Sequence, residues 1–129
     1  MSINRIAGIF LLALCAPVFG QSVGVESVFQ TDVADVSNQE IVVLEVTYPP
    51  GNDSPVHRHN AHTIVYVLEG TVVMAVAGGE EQTLGPGEVF YESPADIHSV
   101  SRNASDTEPA KILVFFLKAK GAPSTEPAD

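Results

Sequence analysis

The four histidines of this 129-residue chain fall at 57, 59, 62 and 98, three of them inside His57-Arg58-His59-Asn60-Ala61-His62. Neutral imidazole is the commonest protein ligand for first-row divalent metals. His57 and His59 stand at i, i+2, the spacing that turns two side chains to one face of a β-strand. A polar histidine-rich loop would use the same residue type, but surface histidines have no reason to crowd here and leave the rest of the chain almost empty of them. The expected chemistry is therefore that of one divalent transition metal. Iron, manganese, nickel, copper and zinc all accept imidazole, so the spacing leaves the ion open.

Residues that converge on an ion must be held by rigid elements, and the elements read as β throughout. Segments near 26–31, 40–48, 63–68, 71–77, 81–84, 88–92, 97–101 and 111–118 are rich in Val, Ile, Tyr, Phe and Thr. Turn formers separate them, as in Pro49-Pro50-Gly51-Asn52-Asp53, Glu69-Gly70, Gly78-Gly79 and Gly85-Pro86-Gly87. No window holds a long apolar pattern of period 3.6, so the fold class is all-β, a sandwich or small closed barrel. Ile41-Val42-Val43-Leu44 and Ile112-Leu113-Val114-Phe115-Phe116-Leu117 are apolar on both faces. One face fills the interior. The other needs a cover, which a second copy of the chain would supply in a homodimer, or a second sheet of the same chain.

Residues 1–20 read as a secretory signal peptide. Arg5 precedes the apolar run Ile6 to Leu14, too short to span a bilayer, and Ala16-Pro17-Val18-Phe19-Gly20 follows, with Val18 and Gly20 small enough for cleavage before Gln21. A lipoprotein reading through Cys15 is disfavoured by bulky Leu14. The expected location is outside the cytoplasm, periplasmic or secreted, with no membrane contact after cleavage. Cys15, the only cysteine, would leave with the signal, so no disulfide or thiolate ligand is expected in the mature chain. Without Arg5, five basic residues face sixteen acidic ones, a net charge of −11 that disfavours nucleic acid and anionic membrane as partners. Residues 120–129, Lys-Gly-Ala-Pro-Ser-Thr-Glu-Pro-Ala-Asp, are expected to be a disordered tail, which leaves 21–119 as one domain.

Two stretches carry a family resemblance. Gly51, five residues, His57-Arg58-His59 and then Tyr66-Val67-Leu68-Glu69-Gly70 (51–70) resemble the first motif of the cupin superfamily; Gly87, five residues, Ser93-Pro94-Ala95-Asp96-Ile97-His98 and Asn103 (87–103) resemble the second. The two motifs in order are far more specific than either alone. The resemblance, to small single-domain exported members, implies an antiparallel β-barrel of jelly-roll type with a metal in its mouth on His57, His59 and His98. It also implies a fourth ligand, a glutamate, and the family spacing places that residue at Thr63. Threonine stays protonated near neutrality and lacks the carboxylate charge, so Thr63 is not expected to ligate. His62 is the alternative fourth ligand, given a bend or bulge between strands to bring it round from the opposite face, and otherwise a residue of the pocket rim. In the second motif Ser93 and Ala95 stand where the family has proline and glycine.

Other chemistry is thin. Gly78-Gly79 and Gly85-Pro86-Gly87 lack the following helix and the Lys-Ser/Thr of a phosphate cradle, and no serine sits in a strand-to-helix elbow. Glu92 and Asp96 could form a carboxylate pair near the mouth, but exposed loop acids are common and neither is assigned as a base; Tyr48, Tyr66 and Tyr91 read as core or rim aromatics. Two functional classes follow: a metal-dependent enzyme on a small molecule, with oxygenase, isomerase or lyase chemistry implied by the resemblance, or a module that binds a small molecule or metal without turnover.

Overall fold

The computed structural model describes residues 20–128; the expected signal peptide lies outside the described residues except for Gly20. Among the described residues ten strands follow in order: β1 (Gly24–Asp32), β2 (Gln39–Tyr48), β3 (His57–Arg58), β4 (His62–Glu69), β5 (Val72–Val76), β6 (Gln82–Leu84), β7 (Val89–Glu92), β8 (His98–Asn103), β9 (Ala110–Ala119) and β10 (Glu126–Pro127). No helix occurs among the described residues. The strands form two five-stranded antiparallel sheets, β1-β2-β9-β4-β7 and β10-β3-β8-β5-β6, the jelly-roll arrangement expected. The breaks fall at the turn formers, and Gly70 shows why one is needed. Its φ is +70°, and a Cβ there would meet the Pro109 carbonyl oxygen at 2.5 Å.

Period-two alternation sorts each strand between the sheets' facing surfaces and the outside. Val42 and Val46 of β2, Val65 and Val67 of β4, Phe90 of β7 and Ile112, Val114 and Phe116 of β9 point inward, and Val72, Met74 and Leu84 of the other sheet close the core over them. The second sheet thus covers the inner face of the two long apolar strands. Their outer faces stay partly open, with Ile41 and Leu117 each 37% exposed.

The segment from Lys120 departs from expectation. It is ordered, not a loose tail: β10 pairs with β3 at Glu126↔Arg58 and Pro127↔His57. The cause is a buried polar knot at the end of β9. Lys118 Nζ donates to Glu40 Oε1 at 2.5 Å and to the Ala122 carbonyl at 2.6 Å, and the Gly121 amide donates to the same Glu40 oxygen at 3.0 Å. Both charges are nearly inaccessible to water, so each must be partnered, and the partners turn the chain back across the barrel. Composition alone carries none of this.

Candidate metal centre

His57 opens β3 and His98 opens β8, and the two are register partners across the antiparallel pair. His59 follows His57 by two residues, keeping to the same face, and then the chain turns sharply at Asn60, whose φ is 48°, a left-handed conformation that asparagine tolerates better than most residues. The three histidines are buried, and each offers a ring nitrogen lying within 4.8 Å of the other two. They are positioned to hold a metal ion.

Their hydrogen bonds make the case sharper. His57 Nδ1 lies 2.7 Å from the Pro55 carbonyl oxygen and His59 Nδ1 2.6 Å from that of Ser124. A carbonyl only accepts, so both Nδ1 atoms donate, and in the neutral rings the lone pairs are on Nε2. Those two Nε2 atoms face each other at 3.1 Å. Two acceptors that close repel unless a cation lies with them. A proton is a poor candidate, because burial pushes the pKa of both rings below the ordinary 6.5. A metal satisfies the geometry: nitrogens each about 2.1 Å from one ion are about 3.0–3.4 Å apart at neighbouring coordination positions. The backbone carbonyls play the outer-shell part that orients metal-bound imidazoles.

The remaining sequence candidates separate cleanly. Thr63 is fully buried on the inner face of β4, with its hydroxyl turned to the Ala61 carbonyl at 3.4 Å. His62 faces the other way. It is exposed, its Nδ1 lies 2.7 Å from the Tyr91 hydroxyl, and no bulge brings it to the cluster. Asp96 accepts from the Ser93 amide at 2.7 Å and so braces the turn before β8. Asn103 is structural as well, donating to the carbonyls of Tyr48, Pro49 and Glu108 and tying three loops together.

Glu92 is the residue that sequence reasoning missed. It is no loop acid: it ends β7, is 1% exposed, and pairs in register with Thr63. Its Oε1 lies 3.1 Å from His98 Nδ1 and 3.8 Å from His59 Nε2. The available signal was alternation, since Phe90 is an obvious inward residue and Glu92 follows it by two.

Above the histidines opens a cavity of about 410 Å³. Val23, Leu44, Val46, Met74, Ile112 and Val114 give it apolar walls, and the Tyr48 hydroxyl sits between Ser54 Oγ at 3.0 Å and Ser101 Oγ at 2.8 Å as a small polar patch. Ser124 and Thr125 of the returning C-terminal segment stand at its lining beside His59.

Comparison with known proteins agrees with this fold. The sequence profile of the Cupin domain matches residues 44–116. The chain belongs to the cupin family. A Thermus thermophilus protein of known structure is 31% identical over 75% of this cupin and 84% of its own chain, with a TM-score of 0.59. A cupin-like protein from Thermotoga maritima is 21% identical over 88% of this chain and 89% of its own, with a TM-score of 0.66. The DMSP lyase DddQ from Ruegeria pomeroyi is 23% identical over 70% of this chain, with a TM-score of 0.59, and the cupin spans only 43% of that enzyme's length. A search of curated proteins finds no match.

Proposed function

We propose that this cupin is an exported protein that holds one divalent transition metal on His57, His59 and His98 and acts as a metal-dependent enzyme on a small molecule. The observation that carries the reading is the opposed pair of Nε2 lone pairs at 3.1 Å, each fixed from behind by a backbone carbonyl. A bound metal of this kind supplies Lewis acidity to an oxygen-bearing substrate. The chain supplies the rest. Its apolar walls exclude water and hold the body of the substrate, while the Tyr48–Ser54–Ser101 hydroxyls offer one polar anchor across the cavity. A cavity of this size suits a small molecule. The DMSP lyase and an oxalate oxidase solved with glycolate share the fold, which puts lyase and oxidase chemistry among the kinds such a barrel houses.

A second reading, a binding module without turnover, draws support from the lining, where among the described residues no carboxylate, lysine or arginine stands to serve as acid or base. Protein isolated from its native compartment decides between them. Elemental analysis should find one metal per chain, and mass spectrometry of the released cavity contents should identify a small molecule that the loaded protein converts. Metal without conversion favours the module, and absence of any metal above background, even after incubation with iron, manganese, nickel, copper and zinc, overturns the metal reading.

A further inference from the structure

Among the described residues, three buried atoms at this centre have no hydrogen-bond partner: Glu92 Oε1 and both ring nitrogens of His98. Glu92 Oε1 and His98 Nδ1 are 3.1 Å apart, yet they are not aligned as donor and acceptor. An ionised carboxylate so deeply buried is costly unless a cation answers it. Among the described residues the basic groups within ion-pair distance of Glu92 are His59 and His98 alone. Both belong to the cluster already poised for an ion. Thr63, where the family spacing calls for the glutamate, is the direct register partner of Glu92 on the neighbouring strand, and both side chains face inward.

We propose that Glu92 is the fourth protein ligand, so that the site's carboxylate has moved across the sheet from β4 to β7. This rests on the three-histidine reading above and goes beyond it. A set of three neutral imidazoles and one carboxylate carries one negative charge, which strengthens the hold on a divalent ion. Thr63, with its small side chain, leaves room for the longer glutamate reaching in from the next strand.

The test uses the full mature chain with Co(II) as probe, since its visible spectrum reports the ligand set, and chelator competition for affinity. Wild type should bind one Co(II). Glu92→Gln keeps size and shape, and should lower affinity at least about tenfold, the lower end for residues that act merely through a ligand, while changing the spectrum. The double variant T63E/E92Q, which returns the carboxylate to β4, should recover at least tenfold of that loss; no recovery overturns the exchange between strands. An unchanged spectrum in Glu92→Gln, or a loss below tenfold, overturns direct ligation while leaving the three-histidine site standing. Failure of wild type itself to bind Co(II) overturns both. Should Glu92→Gln not fold, a crystal structure of the Co(II)-loaded wild type answers the question: a Glu92 oxygen about 2.0–2.2 Å from the ion supports the assignment, and one beyond about 3 Å overturns it.

Discussion

The two faces of the β4/β7 pair share one hydrogen-bond ladder and have opposite chemistry. Thr63, Val65, Phe90 and Glu92 look inward and are at most 4% exposed; His62, Ile64, Tyr66, Val89 and Tyr91 look outward into water. Residues adjacent in sequence therefore live in different media. A histidine or glutamate that water would satisfy on the outer face needs a partner on the inner one, because burial removes that water. Side-chain type proposes chemistry, and strand parity decides whether it happens.

The harshest way to break the inner face is to remove an imidazole. His57→Ala, His59→Ala or His98→Ala should each abolish tight metal retention, read as metal per chain after desalting; full retention in any of them would remove that residue from the ligand set. Proton competition tests the same face more gently. Because burial holds His57 and His59 below 6.5, affinity should persist under mild acid and fall only as pH drops below that value. Metal lost already above pH 7 would contradict it.

Next in size is the C-terminal return. Deleting residues 121–129 removes the Ser124 carbonyl behind His59 and should weaken metal binding about 10–100-fold, the range for outer-shell partners. An acid limb accompanies it. Lys118, then Gln30 and the Gly121 amide, hold the Glu40 carboxyl down at about 2 from its ordinary 4.5. A depressed folded pKa stabilises above 4.5 and loses that contribution as pH falls toward 2, so thermal melts of wild type should steepen their decline in that window and those of Glu40→Gln should not.

The outer face predicts an assembly. Phe29, Ile41, Ile64, Tyr66, Val89, Tyr91 and Leu117 are all more than a third exposed on the sheet β1-β2-β9-β4-β7, and β1 is exposed along its whole length with one edge unpaired among the described residues. Apolar surface costs about 25 cal/mol per Å² left in water, which a second copy of the chain packed on this face would remove. We expect a homodimer by light scattering at micromolar concentration, and a monomer with unchanged metal content for Leu117→Lys combined with Ile64→Lys. A monomeric wild type would refute it.

How far the sequence carries follows from these residues. The eight main strands, the two motif turns and the shared face of His57 and His59 were legible because alternation and turn formers are local signals, while the grouping of His98 with them came from the family resemblance. The two short strands β3 and β10 were not, because two residues carry no period and their pairing depends on the Lys118–Glu40 knot, which joins positions 78 residues apart. Glu92 was missed for a related reason. Alternation puts it on the face of Phe90, but how deeply that face is buried at the end of the strand is set by pairing with β4 in the register Thr63↔Glu92.

The smallest expected effect is on His62, and it is informative because it is small. His62 is three residues from His59, yet the left-handed turn at Asn60 and one step of strand parity send it outward to Tyr91, with the two rings stacked at 6.2 Å. An exposed contact of this kind contributes little to stability, typically within about 0.5 kcal/mol for a surface substitution. His62→Ala should leave metal stoichiometry, affinity and the Co(II) spectrum as in wild type and shift the melting temperature little. If metal were lost instead, the outer face would have to turn inward on loading, and the separation between the two faces of β4 would hold only for the metal-free chain.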